Sequence, residues 1–99
     1  MDFPITIRWA PKAASHLEQI CEYISRDSET YARIFAKRVL SIIEAIASFP
    51  KAGRIVPEYN DPSLRERIYG NYRIVYRLKG DVLEIVAICH GALPLEKVL

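Results

Sequence analysis

Leu64 to Leu78, LRERIYGNYRIVYRL, is the stretch whose reading decides the fold. Two β-rich runs flank Gly70-Asn71. Both residue types tolerate the positive φ of a tight turn, so the stretch reads as a hairpin of two short strands. The side chains argue for the length of the turn. A three-residue loop, Tyr69-Gly70-Asn71, sets Ile68 opposite Tyr72 and Arg67 opposite Arg73. Alternation then gathers Leu64, Ile68, Tyr72, Ile74, Tyr76 and Leu78 on one face and Arg65, Arg67, Arg73 and Arg77 on the other. A two-residue loop would put Arg67 beside Ile74 and mix the two sets. A one-residue slip forfeits the whole burial pattern, so the three-residue loop is expected. That register leaves Glu66 on the apolar face with no partner assigned.

Downstream, Lys79-Gly80-Asp81 turns the chain into VLEIVAIC, Val82–Cys89, a nearly continuous apolar run that fits a central strand buried on both faces. His90-Gly91 ends it, and Ala92–Leu99 carries Pro94 and the amphipathic LEKVL. Upstream, Lys51–Arg54 is a loop, followed by a short edge strand around Ile55-Val56 and by turn chemistry at Pro57 and Asn60-Asp61-Pro62. Further back, Ile5–Trp9 alternates as a first strand with Ile5, Ile7 and Trp9 on one face. Pro11 opens a helix that ends near Ser25-Arg26, with Ala13, Leu17, Ile20, Cys21 and Ile24 on one side. Asp27 or Ser28 caps a second helix, stopped by Pro50, whose buried stripe is Phe35, Val39, Ile42, Ile43, Ile46 and Phe49. The short break between the helices makes them an antiparallel αα-hairpin. The expected class is α+β, in the order β-α-α-β-β-β with one extra edge strand, the αα-hairpin packed on one face of a mainly antiparallel sheet.

Ninety-nine residues, 51% hydrophobic and 26% charged, make one folded domain over residues 1–99. The net charge of +2 hides an uneven distribution. Residues 51–80 hold seven cations against three anions, whereas residues 1–50 hold six of each sign. A basic hairpin suits an acidic or phosphate-rich partner, and equally suits a solvated sheet face. No signal peptide and no apolar run near the roughly 18 residues of a membrane span is present, so the expected location is the cytoplasm, with no membrane partner. Cys21 and Cys89 fall among apolar neighbours without metal-ligand spacing and read as reduced core residues. No metal site and no cofactor motif is found.

Chemistry is sparse. His90, at a strand end, could serve as a general acid or base, or be structural. His16, on the border of the first helical stripe, reads as a surface residue. Arg65, Arg67 and Arg73 could bind phosphates or stabilise charge on a phosphoryl group. Beside them only His90, Tyr72 and Glu96 could add acid–base help. Tyr69, Tyr72 and Tyr76 could stack on bases, but Tyr72 and Tyr76 face the core in the expected register.

The order of parts resembles the RelE/ParE superfamily of toxins from bacterial type II toxin–antitoxin modules. The resemblance spans most of the chain. It rests on WAPKAASHLEQICEYI, on the helix ending in SFPKAGR, on LRERIYGNYRIVYRL and on the apolar strand running into His90-Gly91. The ParE-like branch is the closer match, at Pro50-x-x-Gly53-Arg54, at Leu64-Arg65-Glu66 and at Tyr72–Arg77. The resemblance implies a RelE-like fold, a role in plasmid stabilisation, and inhibition of growth through DNA gyrase by a protein that is not an enzyme. It also implies a cognate antitoxin bound in a hetero-oligomer, with Arg54, Arg65, Arg67, Arg73 and Arg77 as candidates for contact with antitoxin or target. RelE-type relatives instead cut mRNA in the ribosome. For that activity Arg65, Arg67 and Arg73 match the basic hairpin positions, and His90 is the added candidate. After His90 both branches commonly carry another Arg, and the nucleases often a Tyr, where this chain reads Gly91-Ala92-Leu93-Pro94. That departure tells against the nuclease. Three readings follow: a gyrase-directed inhibitor, a ribosome-dependent endoribonuclease, and a non-toxic binding module of the same fold.

Overall fold

Pro11 starts one helix and Ser28 caps the next. In the computed structural model, which describes residues 5–99, α1 spans Pro11–Ser25 and α2 spans Glu29–Ser48. Ala10 offers no side-chain cap, and Pro11, which has no N–H to satisfy, occupies the first turn. The Ser28 hydroxyl accepts the Tyr31 N–H at 3.1 Å, and Glu29 sits in the first turn where the helix dipole favours a negative charge. The helices pack against each other across a short connection. None among the described residues is long and apolar enough to cross a membrane.

Five strands make one sheet: β1 (Thr6–Trp9), β2 (Arg54–Ile55), β3 (Leu64–Tyr69), β4 (Tyr72–Lys79) and β5 (Val82–His90), in the spatial order β1-β5-β4-β3-β2. β1 runs parallel to β5 and the other pairs are antiparallel. The class, the mainly antiparallel sheet and the central place of β5 are as the sequence implies. The edge strand β2 begins one residue earlier than expected. Phe35, Val39, Ile43 and Ile46 of α2 pack on Ile74, Tyr76, Leu83, Ile85 and Ile88. The opposite face of the sheet has its own smaller cluster, Val56, Leu64, Val75, Ala87 and Cys89, covered by Leu95 from a 3₁₀ turn at Leu95–Lys97. The tail therefore docks. Cys21 and Cys89 are free thiols, the second buried.

Two expectations are corrected. The hairpin turn has two residues, with Tyr69 opposite Tyr72, Arg67 opposite Ile74 and Glu66 opposite Val75. Gly70 carries the positive φ (58°) and Asn71 does not, the sign pattern of a type II′ turn. The error is confined to β3. Its Leu64, Glu66 and Ile68 face away from the helices, alongside Arg73, Val75 and Arg77, while Arg65 and Arg67 lie on the helix side. So the four arginines do not share a face. The two-residue register was set aside because it mixes charged and apolar positions. The mixing is tolerated because Glu66 and Arg73, now on one face, neutralise each other, and the long stems of Arg65 and Arg67 carry their charges to the sheet margin. The second correction is Phe49, expected in the buried stripe but 72% exposed. α2 ends at Ser48, and Phe49, at φ −136°, leaves the helical path and turns its ring outward.

β5 carries a bulge. Val75 pairs with Ala87 but Tyr76 pairs with Ile85, which leaves Val86 as the extra residue. The bulge lets Ile85 and Ile88 both face the helices although they are an odd number of positions apart, with Val86 and Ala87 between them.

Candidate functional site

The basic hairpin resolves into separate devices. Arg73 is 6% exposed and Glu66 1%. The Arg73 Nε–H donates to Glu66 Oε1, and its two terminal nitrogens donate to Glu58 at 2.6 and 2.8 Å. The second Glu66 oxygen accepts from Arg54 Nε at 2.6 Å, and the Arg54 side chain is largely in water. Glu66, the residue without a partner in the sequence reading, is the centre of a buried charge network. The hydrogen bonds from Arg73 hold the Glu58 carboxyl down at about 2 against an ordinary 4.5. The same bonds keep Arg73 charged, raising its pKa further above its ordinary value.

Arg65 is a clamp on the loop after α2. Its Nε donates to the Pro62 carbonyl at 3.0 Å, and one terminal nitrogen donates to the carbonyls of Gly53 (2.9 Å) and Lys51 (3.2 Å). Tyr76 holds the same loop from inside the sheet. Its hydroxyl donates to the Pro50 carbonyl at 2.7 Å and accepts the Gly53 N–H at 3.1 Å. A Cβ on Gly53 would meet that hydroxyl at 2.2 Å and the Glu66 carbonyl at 2.8 Å, so only glycine fits. Burial pushes the Tyr76 phenol above its ordinary pKa. One terminal nitrogen of Arg77 makes two long contacts, 3.5 Å to Asp61 and 3.4 Å to the Ser63 hydroxyl. Among the described residues Arg67 makes no side-chain hydrogen bond or ion pair.

A groove of about 600 Å³ lies elsewhere, between α1, the end of β5 and the tail. Ile20, Ile88 and Val98 give it an apolar floor, while Lys12, His16, His90 and Lys97 supply polar groups. Among the described residues no Asp or Glu lines it. His90 is exposed, its Nδ1 accepts the Ala92 N–H at 3.1 Å, and its ring stands edge-on to Tyr72 with centroids 5.6 Å apart. Tyr72 in turn packs edge-on to Phe35 at 5.0 Å. His16, expected on the surface, is half-buried, and its Nδ1 accepts the Ile88 N–H at 3.3 Å. Burial first and Lys12 second lower its pKa from 6.5. Neither Lys12 nor His16 was singled out from the sequence as part of a site. The available signal was their spacing: Lys12, His16, Ile20 and Tyr23 fall at i, i+4, i+8 and i+11, one stripe of α1 beside the core stripe.

The sequence-chosen residues are thus not one constellation. Arg73 pairs across the sheet with Cys89, and Tyr72 with His90, so Arg73 and His90 project from opposite faces. Arg65 is held at the margin by backbone carbonyls. Among the described residues no group of three His, Cys, Asp or Glu side chains could hold a metal.

The model of the ParE toxin of the type II toxin–antitoxin system parDE matches residues 7–93. This chain belongs to the ParE toxin family. Sinorhizobium fredii protein Y4kP, a toxin by name, is 32% identical over 87 residues, 86% of each chain. The ParE-family fold is shared with a chain of the chromosomal ParDE system of P. aeruginosa at a TM-score of 0.71 and 19% identity, covering 88% of this chain and 96% of the other. It is shared as well with a chain of the Mycobacterium tuberculosis RelBE2 toxin–antitoxin complex, at 0.64 and 20% identity, covering 89% and 99%. The protein is a type II toxin–antitoxin toxin with the α+β architecture of the ParE and RelE groups.

Proposed function

We propose that this ParE-family toxin stops growth by binding its target and not by cutting RNA, that DNA gyrase is the target, and that a cognate antitoxin encoded beside it neutralises it. Plasmid or locus stabilisation is the consequence, and the cytoplasm is where both partners would be met. The observation that carries the reading is the state of Arg73. Cleavage of RNA through its own 2′-hydroxyl needs a proton acceptor, a proton donor and charge stabilisation at the phosphate. Arg73 spends its donors on Glu66 and Glu58. Arg65 spends its own on backbone carbonyls, and His90 lies across the sheet from Arg73. A binding inhibitor needs only a surface. Arg67 and Arg77 on the hairpin and Arg54 on β2, which is largely in water although its Nε is bonded to Glu66, are the arginines left for one. The groove, apolar below and cationic at the rim, suits an antitoxin segment that is apolar on one side and acidic at its edges.

The test is induced expression with and without the neighbouring reading frame, with plasmid supercoiling and mRNA cleavage followed in parallel. The expected outcome is growth arrest with altered supercoiling and intact mRNA, relieved by the neighbour. His90→Ala should keep toxicity. Translation-dependent mRNA cuts that vanish in folded His90→Ala would establish the nuclease instead, and no arrest at all would establish a non-toxic module.

A further inference from the structure

β5 is flanked by β1 for only half its length. β1 pairs with Val82–Ile85 and ends at Trp9, and the last bond on that side joins the Ala10 N–H to the Ile85 carbonyl. Beyond it, the Ile88 N–H points away from β4 toward α1. There a side chain, not a strand, receives it: His16 Nδ1, 3.3 Å away and 72 residues distant in sequence. The His90 carbonyl on the same stretch is taken by a turn to the Leu93 N–H. So the part of the edge that remains available to a partner's backbone is the part His16 occupies, and it opens directly into the 600 Å³ groove.

We propose that His16 is a latch on the open edge of β5: its neutral ring stands in for a missing neighbour strand at Ile88, an extended segment of a partner protein displaces it to pair with β5, and protonation of His16 releases it. The chemistry is one-directional. Nδ1 can accept the amide hydrogen only while it holds no proton of its own; the imidazolium has two donors and no acceptor. A buried N–H without a partner is costly, so the edge is satisfied by the ring at neutral pH and calls for a new acceptor once the ring is charged.

The titratable groups that line the groove with His16 are Lys12 and Tyr23 on α1, Tyr72 on β4, Cys89 and His90 on β5, and Lys97 on the tail. Lys12, whose ammonium also donates to the Leu99 O at 3.1 Å, opposes its protonation, and among the described residues no Asp or Glu lines the groove beside it. A partner segment bearing acidic side chains reverses that balance, so binding takes up a proton and the affinity rises as pH falls through the His16 pKa of the complex toward the lowered pKa of the free protein. One proton limits the gain to about tenfold per pH unit. The binding half of the proposal rests on the antitoxin reading above; the latch itself does not.

The latch is tested on the whole chain by following the Ile88 amide by NMR while pH is lowered from neutrality. The expected result is that the Ile88 amide shift and its hydrogen exchange follow the His16 ring titration, with a midpoint below 6.5. In His16→Asn, whose carbonyl can accept the same N–H but does not titrate, the amide should stay constant. An Ile88 amide that stays still while the wild-type His16 ring titrates overturns the proposal without any variant. Affinity for the product of the neighbouring frame, measured across the same pH range, should rise in the wild type and lose the His16 share of that rise in His16→Asn. Equal pH dependence in the two proteins overturns the docking step. A neighbour that binds at no pH, while Ile88 still tracks His16, overturns the antitoxin reading and leaves the latch standing.

Discussion

Removing the Arg73 side chain is the sharpest test of the buried network. In Arg73→Ala the Glu66 carboxylate, whose side chain is 0% exposed, keeps a single partner, Arg54, whose own side chain is 59% in water. Glu58 loses both its bonds but can turn into solvent. The main cost is therefore a buried carboxylate left half-paired. Breaking a buried pair from one side costs about 3–5 kcal/mol. Domains of this size hold about 5–15 kcal/mol in total, so the variant should be close to unfolding. Urea unfolding at neutral pH, followed by far-ultraviolet circular dichroism, reads the loss directly. With a slope of about 1–3 kcal/mol per molar urea, the midpoint should fall by more than about 1 M. The companion variant removes both buried charges, Glu66→Leu with Arg73→Leu, and leaves Glu58 and Arg54 to water. It should lose less than Arg73→Ala alone, because no buried charge remains without its partner. A loss below about 1 kcal/mol for the single variant, against the expected range for a buried pair, would refute the structural role of Arg73. So would a double variant no better than the single.

Ile46→Ala should cost about 2–5 kcal/mol in the same assay, since Ile46 is 1% exposed against the sheet; a loss under about 0.5 kcal/mol would mean that α2 is wrongly placed. Gly53→Ala should cost about 1–3 kcal/mol because its Cβ meets the Glu66 backbone carbonyl as well as the Tyr76 hydroxyl, and Tyr76→Phe should relieve only part of it. Acid unfolding carries a sign: the Glu58 carboxyl is depressed in the folded state, so its contribution is whole above pH 4.5 and is lost as pH falls toward about 2. Glu58→Gln should flatten the stability curve in that window, and an unchanged curve would show that the Arg73 contact adds no stability.

Much of the chain was legible because its signals are local. Pro11, Ser28 and Pro50 mark helix limits by missing donors and capping oxygens, and the 3.6-residue spacing of Phe35, Val39, Ile43 and Ile46 identifies the buried side of α2 without any knowledge of the sheet. The hairpin was legible as a hairpin, but not its register. Strand pairing was inferred from a rule that puts arginine in water, and Arg73 breaks the rule by bringing two carboxylates with it, one from β3 and one from the loop at Glu58. Nothing local in LRERIYG announces that Glu66 and Arg73 will share a face. The groove was illegible for a related reason. Lys12 and His16 come from α1 and His90 and Lys97 from the C-terminal stretch, two segments distant in sequence, and their proximity depends on where β1 stops beside β5.

The bulge at Val86 divides β5 into two halves that are out of phase. Residues before it present odd positions to the helices, Leu83 and Ile85, and residues after it present even ones, Ile88 and His90. β1 is attached only to the first half. Pairing Val86 in a regular ladder would turn Leu83 and Ile85 away from the core, and β1 would turn with them; deleting Val86 would instead leave Ile85 two positions from Ile88, both still toward the helices. The bulge is thus what keeps the two halves of β5, and β1 with the first of them, in one phase against the helices, and a strand one residue shorter at Val86 would hold that phase without it.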